Sequence, residues 1–284
     1  MPELAEVEYY RRQWSPGMNQ KVVRIHVNRG KRVLRETDVE LLERNLTGAT
    51  LRESFAHGKQ MLFEFTSPGW LGVHLGMTGA LRVEGRDFQP GKHDHLVLFQ
   101  EERALVFSDP RLFGRLLFHP GPGQPTWWME RPPDLLSADF TPASLRQFLL
   151  RRSKSPLKAV LLKQERFPGV GNWMADEILW RCGLHPSLLA GGLKSGQIEM
   201  LHEQIRWVCR GALRIVAEDF SDPPKSWLFQ HRWKGGGICP RDGATLQRRE
   251  IGGRTTCWCA QCQKRGSGSK VRAVHALKSI SQPS

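Results

Sequence analysis

No run of about 18 apolar residues occurs in the chain, so no membrane-spanning helix is expected. The opening Pro2-Glu-Leu-Ala-Glu-Val-Glu8 is acidic and has no apolar centre, so no secretory signal is expected either. Cysteine is scarce. Six in 284 residues, without export, do not make a disulfide framework, and they are expected as reduced thiols or, where they cluster, as metal ligands. The glycine period of collagen and the apolar poverty of disordered chains are also missing. With 39% hydrophobic and 25% charged residues the chain can bury a real core. The expectation is a soluble cytoplasmic protein, long enough for two moderate domains.

Acidic residues are outnumbered, 28 against 42 basic, for a net charge of +14. The imbalance is not spread evenly. Residues 1–150 hold 19 basic and 18 acidic side chains, whereas residues 151–284 hold 23 and 10. A small acidic ligand does not need a domain-sized positive field. A polyanion does, because each neutralised phosphate releases counterions. An inert solvated basic surface is the plainer alternative, which charge counting does not exclude.

The chain changes character along its length. Residues 2–14 read as a short helix with Pro2 at its first position and Glu3 and Glu6 in its first turn. Residues 20–120 read mostly as strands, most plainly at 22–27, 61–65, 96–99 and 105–107, interrupted by a helical stretch at 38–45. Strands at this spacing predict a sandwich or barrel. A Pro- and Gly-rich linker follows Gly121. Thr141-Pro142 and Ser155-Pro156 both read as a cap followed by proline at the first helical position. From Ser195, the apolar residues Ile198, Leu201, Ile205, Val208, Ala212 and Ile215 recur at helical spacing, which predicts one buried face. The divisions expected are 1–120, a linker 121–139, a helical unit 140–220, a loop 221–234, a cysteine-rich hairpin 235–265 and a basic tail 266–284. Cys182 and Cys209 fall in helical patterns and are expected in the core.

Three local patterns carry chemistry. Four of the six cysteines lie between Cys239 and Cys262. Cys259-Ala-Gln-Cys262 has the spacing that lets two sulfurs reach one tetrahedral ion. The partner pair, expected about 16 residues upstream, carries a carboxylate in place of its second thiol: Cys239-Pro-Arg-Asp242. Asp242 and Cys257 compete for the fourth ligand position, and a metal-free hairpin is the remaining alternative. Second, Pro168-Gly-Val-Gly-Asn172 precedes a helical run at 175–181. Asn172 reads as its cap, and the turn's N–H groups suit a phosphate. Third, loss of Met1 would leave Pro2 as a terminal secondary amine beside Glu3. At the positive end of a helix its charged form is disfavoured, which makes it a usable nucleophile next to a general acid or base.

Together these residues resemble the formamidopyrimidine-DNA glycosylase / endonuclease VIII family over nearly the whole chain. The resemblance rests on Pro2–Glu8, Gly58-Lys59, His74–Arg82, Lys92-His-Asp-His95, Asp109–Gly114, Gly169–Asn172 and Gly253-Arg-Thr-Thr256. It implies an α+β fold with an N-terminal β-sandwich behind a leading helix, a helix–two-turn–helix domain and a zinc-finger-like β-hairpin. It implies a bifunctional DNA glycosylase and AP lyase, acting as a monomer on damaged double-stranded DNA. Pro2 would attack C1′, Glu3 would move protons, and Lys59, Asn172 and Arg254 would hold phosphates. Met77, Arg111 and Phe113 would fill the gap left by a flipped nucleotide. His74 falls among the DNA-contacting positions, although nothing in the chemistry needs an imidazole, and structural hydrogen bonding is the alternative for it, His93 and His95. Cys239, Asp242, Cys259 and Cys262 would hold a structural zinc ion.

The chain departs from the family at three points. Asp242 stands in the finger, Ala5 replaces a frequent proline, and Asp219–Trp227 is shorter than the loop that closes over oxidised guanine. The wedge residues belong with the purine-lesion branch and the lid does not. The expectation is efficient action on formamidopyrimidines and weaker action on 8-oxoguanine. Two readings of other classes stand beside this one: a non-catalytic damage-sensing DNA binder on the same scaffold, and a zinc-ribbon RNA binder, which leaves the N-terminal motif idle.

Overall fold

The computed structural model describes residues 1–66 and 69–264, so the basic tail expected at 266–284 lies outside the described residues. The leading helix α1 spans Leu4–Gln13. Pro2 does not take its first position as expected. Glu3 is the N-cap, in an extended conformation, and its own N–H donates to the Glu6 carboxylate at 3.1 Å. The helix therefore begins later, with Pro2 left projecting ahead of it.

After β1 (Arg24–Val27) and α2 (Val39–Leu46) come seven strands: β2 (Leu51–His57), β3 (Gln60–Phe65), β4 (Gly69–His74), β5 (Ala80–Gly85), β6 (Asp94–Phe99), β7 (Arg103–Ser108) and β8 (Arg115–Pro120). Asp38 caps α2, its carboxylate accepting from the Leu41 N–H at 2.9 Å. The strands form two antiparallel sheets, ordered β1-β6-β7-β5 and β2-β3-β4-β8. Alternate side chains of each sheet (Met61, Phe63, Leu71 and Val73 from one; Leu96, Leu98, Leu105 and Phe107 from the other) meet in a single core. This is the expected sandwich. Strands β2, β4 and β5 lack an evident apolar run, because Arg52, Glu53, Arg82, Glu84 and two glycines break it.

The proline-rich segment after Gly121 is not bare linker. Its short helix α3 (Thr126–Met129) buries Trp128 against Leu62 and Trp70, and Trp127 lies against Gly72, where any larger residue would collide. The helical lobe follows: α4 (Pro142–Arg151), α5 (Leu157–Leu161), α6 (Asn172–Cys182) and α7 (Ser195–Asp219). Thr141 caps α4 as expected, accepting from Ser144 N–H at 3.2 Å. Ser155-Pro156 does not repeat the device, since Pro156 itself is the N-cap of α5. The stripe on α7 is buried from Ile198 to Ala212, with Ile215 half-buried at its edge. Each such aliphatic side chain contributes about 1.5–3 kcal/mol on leaving water. Cys182 and Cys209 lie in this core, where burial pushes both thiols well above their usual range. The C-cap of α7 is Phe220, at φ 65°, a left-handed conformation that costs a non-glycine residue on the order of 1–3 kcal/mol. Among the described residues no helix is long and apolar enough to cross a membrane.

Helix α1 is shared between the lobes. Leu4 and Ala5 belong to the helical core, Val7 and Trp14 to the sandwich core. The finger hairpin, β9 (Gln247–Ile251) and β10 (Arg254–Trp258), turns through Gly252 and Gly253, both at positive φ (63° and 75°), as a two-residue turn of the primed kind requires. A buried ion cluster fastens this hairpin to the helices. Asp176 on α6 accepts from Lys158 Nζ at 2.5 Å with one oxygen, and from Arg232 at 2.6 Å and the Cys257 N–H at 3.1 Å with the other. Lys158 also donates to the Asn172 carbonyl at 2.7 Å. Replacing Asp176 by alanine strands two buried cations. The expected loss is about 3–5 kcal/mol of unfolding free energy, read by urea denaturation; a change within experimental error would show that the cluster is not a net tether.

Candidate functional site

Where the sandwich, the helices and the finger meet, they enclose an open cavity of about 850 Å³. Pro2, Glu3, Lys59, His74, Met77, Asn172 and Arg254 all line it, brought together from as far as 252 residues apart in sequence. Arg111 and Phe113 do not. They sit on the neighbouring turn 109–114, with the Arg111 guanidinium 4.9 Å from the Phe113 ring centre. Met77 and Phe113 are 39% and 44% exposed, so packing does not explain either side chain.

Glu3 is the best-held group in the cavity. Its carboxylate accepts from the N–H groups of Gly171 (2.9 Å), Trp173 (3.0 Å) and Met174 (3.1 Å), the first turn of α6. The expected cap, Asn172, is instead the first helical residue. Gly171 is the N-cap, and the capping oxygens come from Glu3 on another helix. Gly171 has to be glycine: a Cβ there would lie 2.2 Å from the Glu3 carboxyl carbon. Burial pushes the Glu3 carboxyl up to about 7, helped by the negative charge of Glu6, while the α6 N–H groups and Lys59 pull the other way. It is poised to give or take a proton near neutrality.

Lys59 sits in the two-residue turn between β2 and β3, after Gly58. Its ammonium is depressed below the usual lysine range, chiefly by burial and also by Arg254, with Glu3 opposing. His74, at the end of β4, accepts the Gly76 N–H at Nδ1 (3.0 Å). Burial, with Arg115, Lys59 and Arg35, pushes the ring down to about 4, so it stands neutral in the cavity wall. The Asn172 side chain donates to the Thr255 carbonyl of β10 at 2.9 Å, and its oxygen is buried without a partner. Arg254 opens β10 directly after the two glycines, which sets its side chain in the cavity.

Asp109, buried, joins the two exposed turns. One oxygen accepts from Thr78 Oγ1 (2.7 Å) and the Arg111 N–H (3.2 Å), the other from the Gly114 N–H (2.6 Å). His95 Nε2 bonds the Asp109 carbonyl at 2.9 Å, a structural role for that imidazole. Glu6 and Tyr10 also line the cavity, and Glu6 accepts from the Trp173 indole at 3.0 Å. Sequence reasoning missed both, yet the spacing Glu3, Glu6, Tyr10 is one face of a helix and was the available signal. Phe220, Phe229 and Trp233 were missed as well, since they come from the irregular segment after α7 and its end.

In the finger, Cys239, Asp242, Cys259 and Cys262 place their ligand atoms within 4.8 Å of one another. The Cys239 and Cys262 sulfurs are 3.8 Å apart and Asp242 lies 3.3 Å from Cys259, close to the edge of about 3.6–3.8 Å that metal–sulfur bonds of about 2.3 Å set in a tetrahedron. The donor set fits a metal ion. Cys257 is not part of it. Strand β10 ends at Trp258, so Cys259 has turned away from the face it would share with Cys257, whose N–H is bound by Asp176.

Glu3 should titrate near pH 7 in the folded chain, followed by the NMR shift of its carboxyl carbon. Its proton is held more tightly folded than unfolded. The stability this contributes is complete below about pH 4.5 and is lost as pH rises through about 7. Glu6→Gln removes one repulsion and should move the midpoint down; an unmoved midpoint would leave burial as the whole cause.

The residues 1–116 match the model of the formamidopyrimidine-DNA glycosylase N-terminal domain, and residues 132–222 that of its H2TH domain. The formamidopyrimidine-DNA glycosylases of Geobacter metallireducens and Laribacter hongkongensis are 34% and 33% identical, each over 93% of this chain and the full length of the relative. Among solved structures, Lactococcus lactis Fpg (MutM) with DNA containing N7-benzyl-Fapy-dG is similar at 29% identity, with a TM-score of 0.83 over 93% of this chain and all of that one. MutM in complex with DNA containing carbocyclic 8-oxo-G is similar at 29% identity and a TM-score of 0.84, with the same coverage. With two domain models in order along the chain and full-length relatives above 30% identity, the chain belongs to the formamidopyrimidine-DNA glycosylase family.

Proposed function

We propose that the protein is a base-excision repair enzyme that releases oxidised and ring-opened bases from duplex DNA and then cleaves the abasic strand. The observation that carries this reading is the meeting of Pro2, Glu3 and Lys59 in one cavity, with the acid held near neutrality. With Met1 removed, the Pro2 nitrogen lone pair bonds C1′ of the damaged nucleoside, and the base leaves with the glycosidic electron pair and a proton. Glu3 protonates the sugar oxygen, the ring opens, and the nitrogen becomes an iminium. Loss of a C2′ proton then drives elimination of the 3′ phosphate. Lys59, Asn172 and Arg254 form the phosphate-binding rim. Met77, Arg111 and Phe113 fill the stack from the two turns that Asp109 joins.

Residues 1–120 act as the catalytic lobe, 140–220 as the helical DNA-binding domain, and the hairpin around Cys239–Cys262 as the finger, joined by 121–139 and 221–234. The enzyme works as a monomer on DNA in the cytoplasm. Zinc is the ion proposed for the finger, held by Cys239, Asp242, Cys259 and Cys262 in a structural role. Formamidopyrimidines are the favoured lesions. The short Asp219–Trp227 segment offers 8-oxoguanine no closing lid, whose loss is worth about 1–3 kcal/mol per contact, while a ring-opened base is cheaper to extrude.

Borohydride should trap the protein on abasic DNA, with the cross-linked peptide beginning at Pro2. Trapping that persists at a lysine in Pro2→Gly would remove the assignment. Glu3→Gln should lose base release more severely than cleavage of a pre-formed abasic site. Elemental analysis of protein purified without added metal should give about one zinc per chain; a value near zero with full activity means a metal-free hairpin. On duplexes with single defined lesions, formamidopyrimidines should turn over distinctly faster than 8-oxoguanine opposite cytosine, and equal rates would show that another element replaces the lid.

A further inference from the structure

The lining of the cavity mixes polar and cationic groups, among them Lys59, His74, Asn172 and Arg254, with the aromatic rings of Tyr10 and Phe220, which pack on each other. Helix α1 forms part of its wall. Glu3, Glu6 and Tyr10 follow one another along its face, and the seven residue steps from Glu3 to Tyr10 span about 10 Å. Phe220, which packs on Tyr10, therefore lies toward the far end of that face from Pro2 and Glu3.

Phe220 is the anomaly at that end. It occupies the C-cap of the longest helix among those described, at φ 65°, where glycine or asparagine is the unstrained choice. Its ring is not hidden in compensation. It is 45% exposed, and its contacts are edge and tilted stacking on Tyr10 (5.6 Å) and Tyr9 (4.7 Å) of α1. The joint beneath it is braced, because Arg12 of α1 donates to the Ala217 carbonyl and pairs with Glu218 at the end of α7. A strained backbone thus holds a half-bare aromatic ring at a fixed place in the cavity wall. Strain retained at a cavity wall is the pattern expected where the side chain serves the ligand rather than the fold.

We propose that Phe220 is the stacking platform that positions the extruded base for release, in a chain whose segment after α7 is too short for a lid. This rests on the reading of the cavity as a glycosylase site. Stacking uses the π-face that every nucleobase has, and so needs no hydrogen-bond pattern from an intact purine ring. Phe220 touches the base alone. An abasic substrate has nothing to place on it.

The test compares two substrates, a duplex carrying one formamidopyrimidine and the same duplex carrying a pre-formed abasic site. Phe220→Gly is expected to lower kcat/KM for base release about tenfold or more, to leave abasic-strand cleavage within about twofold, and to keep or raise the melting temperature because the strain is relieved. Phe220→Leu, which keeps apolar cover without a ring face, should show the same split, and Phe220→Tyr should restore base release. Unchanged base release in the glycine and leucine variants would overturn the proposal. So would equal loss on both substrates, which marks a general disturbance of the site. Failure of the Pro2 chemistry shows itself elsewhere, as wild-type protein that cannot cleave the abasic duplex, and base release by the Phe220 variants still decides the platform.

Discussion

The three hydrogen bonds from the first turn of α6 to the Glu3 carboxylate hold the two lobes in register. A helix N-terminus leaves its first N–H groups without partners, and here the missing acceptor comes from the start of α1, the helix the two lobes share. Capping fixes the approach of α6 to α1 to within a hydrogen bond. Gly171 then has to lack a side chain, Asn172 is carried to the finger strand, and Pro2 is left lining the cavity. The same contact buries the acid, and that burial outweighs the helix dipole in setting its proton affinity. Fold and chemistry depend on one carboxylate.

Two further carboxylates act in the same way. Asp176 gathers α5, α6, Arg232 and the finger strand, and Asp109 gathers the two turns that carry Met77, Arg111 and Phe113. Each is buried, satisfied on both oxygens, and bonded to at least one backbone N–H group. Backbone partners give such groups their geometric authority, because a main-chain N–H cannot swing away as a side chain does. Irregular loops, which have no ladder of their own, are thereby given positions as definite as strands.

The sandwich, the helical lobe and the finger were legible from residue patterns, because burial imposes a period on the chain. β3, β6 and β7 show uniform apolar runs, and α7 shows its stripe. The strands with mixed burial, β5 above all, leave no such trace. At the site, motif residues such as Glu3, Lys59 and Arg254 could be named in advance. What they would touch could not. Nothing local in Gly-Val-Gly-Asn shows that its cap is supplied from residue 3, so Asn172 looked like the cap. Asp176 likewise looks like any helical aspartate until Lys158 and Arg232 arrive from 18 residues before and 56 residues after it. Phe220 is the clearest case. A left-handed backbone is a property of coordinates, and a phenylalanine gives no warning of it.

The projection of Pro2 ahead of α1 has a practical side. Met1 already lies within the cavity, its sulfur 3.8 Å from the Lys59 ammonium. Any polypeptide joined in front of it would continue from the cavity wall beside Lys59. If Pro2 is the nucleophile as proposed, affinity handles and fluorescent fusions belong at the opposite end of the chain, and a preparation carrying an uncut N-terminal tag would assay as a well-folded, inert protein.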